Sequence, residues 1–310
     1  MKKYIINFLF ILLIIILSIE VLLESNIVIS SVKFSFNIWQ NNIFPSLFPF
    51  LVIGNILINA GIPELLGKIF KNIVNKLFKI NPNGTFIIFL SMLSGFPSSA
   101  KYITELLNNN KIDVDDATKL LMFTHFSNPL FILGSVTIFV NDKSLGLSIL
   151  ISHYIGNFFI GILFRNYKKK ELNKFNSNLK NIKDINIGKV VASSIKDAIN
   201  TLLLILGSIT VFLIITSIIN HIFEISGILK PIINGIFEMT QGLKYLESLN
   251  INSNIKALIS VAILSFGGLS IHLQIITIIS DTKIKYFPYF ISRILHVIIS
   301  TLIFYFWKVF

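Results

Sequence analysis

The chain has 310 residues, of which 54% are hydrophobic and 14% are charged, and its mean hydropathy is +0.78. Soluble domains carry about 25% charged residues, so this composition excludes a soluble globular protein and predicts an all-α, polytopic integral membrane protein. The net charge of +12 comes from basic residues in short loops between apolar runs, which favours contact with anionic membrane lipids and argues against nucleic-acid binding.

The N-terminal part predicts one crossing followed by a hairpin. The apolar run 4–23 predicts an uncleaved transmembrane helix within residues 1–25, with its N-terminus in the cytoplasm. Pro45 and Pro49 begin a second apolar stretch, which ends at Ala60. Prolines four residues apart predict a turn between half-helices, so we expect 43–60 to be a re-entrant hairpin.

The next segments alternate between amphipathic and apolar. Lysines at helical spacing over 63–80 predict an interfacial helix. The span 85–107 contains Ser94-Gly95-Phe96-Pro97-Ser98-Ser99-Ala100, and the helix 116–140 contains Thr124-His125-Phe126-Ser127-Asn128-Pro129. Glycine, proline and serine at membrane depth cannot sustain a regular helix, so each cluster predicts a break that is buried in protein or lines a polar cavity.

A span over 145–164 precedes the strongest topological signal. Its His153 and Asn157 share one helical face, which favours polar packing between helices. Residues 165–189 then hold eight lysines or arginines against two acidic residues. This excess of positive charge predicts a cytoplasmic loop.

The second half repeats the order of the first. Apolar spans are predicted over 193–222, 255–280 and 286–307, with an amphipathic stretch over 227–246. The middle span contains the break Ser265-Phe266-Gly267-Gly268-Leu269-Ser270, which we align with Gly95. We therefore predict two inverted, gate-like repeats with broken helices and re-entrant hairpins, over 26–164 and 190–310.

The breaks supply the candidate substrate-binding residues. Half-helix N-termini favour anions such as carboxylates, although glycine and serine also permit tight helix packing. Arg293 either contacts a carboxylate or extends to the interface, and at most one of His272 and Gln274 faces the site. The candidate residues are Gly95, Ser98, Ser99, His125, Ser127, Asn128, Gly267, Gly268, Ser270, His272, Arg293 and His296.

The sequence offers no motif for catalysis. Cysteine is absent, no histidine spacing matches a metal site, and no phosphate-binding loop of the Walker type occurs. Acidic residues are nearly absent from the apolar spans, so a serine nucleophile cannot be given a histidine and a carboxylate. We expect no enzymatic activity and no cofactor.

Four motifs together resemble a known family. The strings SGFPSSAKYITELL, FTHFSNPLFILG, SFGGLSIHLQ and SRILHVIIST resemble the sporulation integral membrane protein family (YlbJ type) of endospore-forming bacteria, from about residue 35 to the end. That resemblance implies gate or nucleoside-recognition segments, a distant similarity to concentrative nucleoside transporters, and a role in spore cortex formation. It also implies movement of dipicolinic acid into the forespore across the outer forespore membrane, which derives from the mother cell.

The leading hypothesis is a transporter of a small anionic solute, with dipicolinate implied by the resemblance. A nucleoside-type transporter and a non-transporting scaffold for spore-envelope assembly are the alternatives, and an intramembrane hydrolase is a distant fourth. Paired polar breaks favour a transporter, since a scaffold has no need of them at membrane depth.

Overall fold

The computed structural model describes residues 2–168 and 187–309, and in these ranges every regular element is a helix. Five segments are long and apolar enough to cross a membrane, namely Ser25–Asn59, Lys143–Leu163, Ile187–Phe223, Ser253–Ile279 and Tyr286–Lys308. The helices are α1 (Lys2–Leu23), α2 (Ser25–Ile38), α3 (Phe44–Asn59), α4 (Ile62–Leu77), α5 (Gly84–Ser94), α6 (Ser98–Asn108), α7 (Val114–Phe123), α8 (Thr137–Val140), α9 (Gly146–Leu163), α10 (Ile187–Phe223), α11 (Leu229–Phe237), α12 (Met239–Glu247), α13 (Ser253–Phe266), α14 (Gly268–Ile279) and α15 (Tyr286–Val309). The chain is thus an all-α integral membrane protein.

The predicted re-entrant hairpin over 43–60 is wrong. Helices α2 and α3 are joined by a π-helical turn, Trp39–Ile43, and the chain stays helical from Ser25 to Asn59. Pro45 directly follows the π-helical turn and Pro49 lies inside α3, so the chain is helical on both sides of each proline. A helix in a protein-lined membrane segment tolerates such a proline.

The first hairpin lies instead at α5 and α6, where a crossing helix was predicted. Gly54 of α3 faces both Leu90 of α5 and Tyr102 of α6, and the rings of Phe86 and Tyr102 are 6.2 Å apart. Residues on either side of the tip therefore lie side by side. The chain turns back at Gly95-Phe96-Pro97 and returns to the face from which it came.

The segment after this hairpin crosses as a broken helix. α7 ends at Phe123, the backbone is extended through Thr124–Pro129, and a π-helical turn, Phe131–Val136, leads into α8. α9 runs antiparallel to both pieces, since Gly161 faces Phe123 and Gly146 faces Thr137.

The second half contains the same order of elements after the long helix α10. α11 and α12 form a second hairpin with its tip at Glu238, in which Gly242 packs directly on the backbone of Gly235. A Cβ atom on Gly242 would lie 2.4 Å from the Gly235 Cα, so only glycine fits this contact. α13 and α14 then form the second broken helix, with the break at Gly267, and α15 follows.

The two hairpins enter from opposite faces. The backbone amide of Lys285, before α15, donates to Thr118 Oγ1 at the start of α7 (3.3 Å). Asn141, after α8, donates to the carbonyl of Glu247 at the end of α12 (3.3 Å). The base of the first hairpin therefore lies at the opening end of α7, and the base of the second lies at the closing end of α8.

Two further sequence predictions concern the basic loop and the alignment of Gly95 with Gly267. Most of the basic loop 165–189 falls at 169–186, outside the described residues. Gly95 ends a helix within a hairpin, whereas Gly267 interrupts a crossing helix, so the two do not occupy corresponding places. The hairpin tip that corresponds to Gly95-Phe96-Pro97 is Glu238.

Candidate functional site

Both hairpin tips and both broken helices meet at one small cavity of about 60 Å³. α3 and α10 close its sides. Its lining residues are Asn42, Ile43, Ser46, Leu47, Phe96, Pro97, Ser127, Asn128, Phe131, Ile205, Ile209, Glu238, Met239, Thr240, Ile271 and Gln274.

The first tip is held by backbone contacts to the first break. Gly95 has φ +80°, and a Cβ there would lie 2.6 Å from the backbone nitrogen of Asn128. The Phe96 amide donates to the Phe126 carbonyl (2.7 Å), and Asn128 Nδ2 donates to the Leu93 carbonyl (3.1 Å). Asn128 thus both lines the cavity and satisfies backbone groups that the hairpin leaves free.

The serines after the first tip lie behind it. The hydroxyls of Ser98 and Ser94 are 2.5 Å apart, and Ser98 also donates to the Gly95 carbonyl. Ser99 is buried in the first turn of α6. Neither Ser98 nor Ser99 lines the cavity, whereas Phe96 and Pro97 do.

The second tip brings in an acidic residue that was not among the predicted site residues. Glu238 is 1% exposed, accepts from the Gln241 amide (2.9 Å) and from the Thr240 hydroxyl, and so caps α12. Its signal in the sequence was an acidic residue between Phe237 and Met239, within the amphipathic stretch 227–246.

The second break packs between the first break and the second tip. Gly267 and Gly268 have φ +89° and +79°. A Cβ on Gly267 would meet His125 Nε2 at 2.7 Å, and one on Gly268 would meet the Met239 amide nitrogen at 3.0 Å. These glycines therefore permit close approach on both sides.

The first turns of α14 carry the polar groups of this half. Gln274 lines the cavity, is 1% exposed, and neither atom of its amide has a hydrogen-bond partner. His272 faces away and bonds the Tyr286 hydroxyl (2.8 Å). Ser270 is buried near Glu238. Of the pair considered from the sequence, it is Gln274 that faces the cavity.

Arg293 and His296 belong to a buried polar cluster beside the cavity. Arg293 Nη1 donates to Asn157 Oδ1 (3.1 Å) and to His296 Nδ1 (3.0 Å), and Arg293 Nη2 donates to the Met122 carbonyl. Arg293 is fully buried, so it does not extend to the membrane interface.

Histidines join this cluster to the breaks. The Ser127 amide donates to His153 Nε2 (3.0 Å), His153 Nδ1 lies 3.3 Å from Ser265 Oγ, and the Tyr289 hydroxyl lies 3.0 Å from His125 Nδ1. Asn157 Nδ2 donates to the His125 carbonyl (2.7 Å). The cluster holds the extended Thr124–Pro129 segment in place, and within it His153 and Asn157 contribute the packing contacts expected from their shared face.

The charges around the cavity are of two kinds. The helices α6, α12 and α14 begin at or beside it. Glu238 caps the first turn of α12, whereas the first turns of α6 and α14 present backbone amides with partial positive charge. Among the described residues that line the cavity, Glu238 is the one ionisable side chain. The site therefore combines amide dipoles that attract anions with one carboxyl group.

A larger groove of about 410 Å³ adjoins the cavity. It shares Asn42, Ser46 and Phe131 with the cavity and extends between the two π-helical turns, where Asn42 Nδ2 donates to Ser135 Oγ (3.0 Å). π-Helical turns occur frequently at functional sites. The groove therefore borders the cavity between these two turns.

A protein from Bacillus subtilis (strain 168), described as sporulation integral membrane protein YlbJ, is 29% identical to this chain over 299 residues. The similarity covers 85% of this chain and 73% of that protein. No protein-family profile and no solved structure matches the chain.

Proposed function

Because the chain belongs to the YlbJ-type family of sporulation integral membrane proteins, we propose that it transports a small anionic solute across a membrane during sporulation. The solute we propose is dipicolinic acid, delivered to the forespore through the outer forespore membrane. This choice rests on the family resemblance, whereas the transport mechanism rests on the cavity.

The observation that carries the proposal is the meeting of both hairpin tips and both broken helices at one cavity. Broken helices and re-entrant segments at membrane depth are expensive unless they are buried in protein or line a cavity, and here they do the second. Hairpins that enter from opposite faces and meet at the midplane are the arrangement that secondary transporters use for substrate binding. A scaffold has no use for this arrangement.

The size of the cavity bears on the mechanism. A volume of about 60 Å³ holds a few water molecules, whereas ligand pockets typically measure about 300–1,000 Å³. A heteroaromatic dicarboxylate would therefore enter only when one hairpin moves away from the other. Alternate movement of the two hairpins would open the site to one face at a time.

The charge of the site favours an anion that binds through backbone amides. The N-termini of α6 and α14 lie beside the cavity without a carboxyl cap, and such termini bind carboxylates without a basic side chain. The Gln274 amide offers a further donor and acceptor. Glu238 and Gln274 would also suit the hydroxyls and base of a nucleoside, which makes a nucleoside the second candidate solute.

Uptake into proteoliposomes tests the proposal. The intact chain should take up radiolabelled dipicolinate faster than empty vesicles, and faster than it takes up nucleosides. A Gly95→Leu and Gly267→Leu double variant should lose uptake, because both positions have positive φ and no room for a side chain. Gly207→Leu is the matched control, since a side chain there meets open space.

Each outcome decides between the candidates. Faster uptake of nucleosides would replace the proposed solute. Folded protein that moves neither solute under imposed gradients would overturn the transport proposal and favour a scaffold.

A further inference from the structure

We infer that the polar face of α2 forms a water-filled entrance to the cavity, in which Lys33 attracts the anionic solute. This polar face consists of Lys33, Asn37, Gln40 and Asn41, which recur at helical spacing and are all exposed. The inference rests on the proposed function only for the role of Lys33, because contact of this face with water can be measured without any solute.

α2 runs beside the second hairpin from its base to its tip. Lys244, near the end of α12, lies with its Nζ atom 3.8 Å from the centre of the Phe34 ring. Asn42, which follows α2, lines the cavity together with Glu238 at the hairpin tip. α2 therefore extends from the membrane face that carries the base of the second hairpin to the depth at which the two hairpins meet.

Most of the polar face lies within the hydrocarbon depth. A helix rises about 1.5 Å per residue, so Asn37 is about 8 Å and Lys33 about 14 Å from Asn42 along the helix. Half of the hydrocarbon core measures about 15 Å. A lysine at the depth of Lys33 can extend to the headgroups, but the short side chain of Asn37 cannot.

Hydrocarbon is an unfavourable surrounding for this face. Within the described structure, the side chains of Asn37, Gln40 and Asn41 have no hydrogen-bond partner. No carboxylate of the described residues lies within ion-pair distance of Lys33. Polar groups without partners are costly in lipid and are found where they face protein or a water-filled space. Water satisfies all four side chains.

The other sides of α2 have different surroundings. Ser31 and Ser35 are buried and bond hydroxyl groups of α10, and Phe34 lies against Lys244 of α12. Phe36 is 51% exposed and forms an apolar edge. The polar face therefore lies between this apolar edge and the second hairpin.

The polar face is continuous with the site. Asn41 belongs both to this face and to the groove of about 410 Å³. The groove in turn shares Asn42 and Ser46 with the cavity. A solute that follows the polar face of α2 thus reaches the cavity along polar side chains.

The charge of the entrance suits an anion. Lys33 is the one charged residue of α2, and the residue after it, Phe34, contacts Lys244. Glu247 lies further from the cavity, at the end of α12. Positive charges at the opening of a cleft raise the local concentration of anions. Among its described lining residues, the cavity itself has no basic side chain, so Lys33 supplies an attraction that the cavity lacks.

Thiol labelling in proteoliposomes without solute tests the contact with water. The chain has no native cysteine, so Asn37→Cys and Phe36→Cys each place one thiol at nearly the same depth, on the polar face and on its apolar edge. A charged thiosulfonate reagent is supplied on both sides of the membrane. Asn37→Cys should react about as fast as Ser248→Cys on the exposed surface. Phe36→Cys should react at least about tenfold more slowly, because a charged reagent does not enter hydrocarbon.

Lys33→Gln tests the role of the charge. In the Asn37→Cys protein it should slow labelling by a negative reagent about threefold at low ionic strength, and speed labelling by a positive one similarly. This is the effect of unit charges about 6 Å apart in water. It should also raise the KM for dipicolinate by at least about threefold and leave kcat unchanged, since Lys33 lies outside the cavity. Lys76→Gln makes the same charge change on the exposed surface of α4 and should alter none of these values.

The outcomes separate the entrance from the transport function. If Asn37→Cys reacts as slowly as Phe36→Cys, the entrance is overturned, and a disulfide between two copies of Asn37→Cys would then identify this face as an interface between copies. Labelling rates that do not respond to Lys33→Gln would remove Lys33 from its proposed role. Fast, charge-dependent labelling in a chain that takes up no solute would support the entrance and contradict the transporter.

Discussion

The ring of Phe96, at the tip of the first hairpin, stacks on the ring of His125 in the first broken helix, with centroids 4.4 Å apart and planes inclined by 15°. His125 in turn contacts Gly267 of the second broken helix. This contact links three of the four segments that surround the cavity. A movement of the first hairpin must therefore separate Phe96 from His125.

Phe96→Leu should loosen the first hairpin. The substitution keeps an apolar side chain but removes the stacked pair, whose worth is about 0.5–1.5 kcal/mol. We expect a lower melting temperature and easier opening, seen as faster hydrogen exchange of α5 and α6. Phe287→Leu, on a side chain that is 69% exposed, should change neither, and equal exchange in the two variants would contradict the proposed link.

Gly268→Ala should disrupt the contact between α14 and the second hairpin. Gly268 has φ +79° and faces the backbone at Met239 and Gly235, so the methyl group meets atoms that cannot rotate away. Adopting this backbone conformation costs a non-glycine residue about 1–2 kcal/mol, in addition to the clash.

The matched control for Gly268→Ala is Gly207→Ala. Gly207 lies inside α10, and a Cβ there would meet no neighbouring atom within 4 Å. Alanine stabilises a helix over glycine by about 0.5–1 kcal/mol. The melting temperature should fall for the first variant and stay level or rise for the second. The opposite order would show that the contact is not as tight as described.

Arg293→Gln should reduce stability without changing solute affinity. Arg293 donates to Asn157, His296 and the Met122 carbonyl but does not line the cavity. Each acceptor left unpaired costs about 1–3 kcal/mol. The melting temperature should fall, and the folded fraction should bind dipicolinate like the intact chain. Loss of binding in well-folded protein would return Arg293 to the substrate site.

The ion pair between Lys111 and Glu64 anchors the base of the first hairpin to α4. Lys111 Nζ lies 2.8 Å from Glu64 Oε1, and both side chains are buried. Lys111→Met leaves the carboxylate unpaired, which should cost about 3–5 kcal/mol. The Glu64→Leu and Lys111→Met double variant should recover most of this stability, as measured by thermal unfolding. If the double variant had the same melting temperature as Lys111→Met, the unpaired carboxylate of Glu64 would not be the cause of the lost stability.

The sequence alone located the breaks but not the path of the chain through them. Glycine and proline disrupt helices locally. The sequence therefore predicts breaks at Phe96-Pro97, Ser127-Asn128 and Gly267. Whether a broken segment crosses or turns back depends on distant partners. Gly54 meets both sides of the first hairpin, and nothing within the hairpin itself reveals that contact.

The sequence predicted those residues of the candidate site that lie at the breaks. Ser127 and Asn128 line the cavity, and Gly95, Gly267 and Gly268 permit its close packing. The predicted site residues include His272 but not Gln274, because sequence spacing alone does not tell which side of α14 faces the cavity. Pro49 predicts a turn when only local rules are applied, whereas it lies inside a continuous helix, which the helices around it stabilise.

Protection of a cysteine in the cavity tests the central claim most directly. The chain has no native cysteine, so Ser46→Cys places a single thiol where the groove meets the cavity, and Ser248→Cys places one on the exposed surface as a control. We predict that saturating dipicolinate slows labelling of the Ser46→Cys protein by a thiol reagent and leaves that of the Ser248→Cys protein unchanged. Equal labelling of the Ser46→Cys protein with and without dipicolinate, in protein that still takes up the solute, would contradict transport through this cavity.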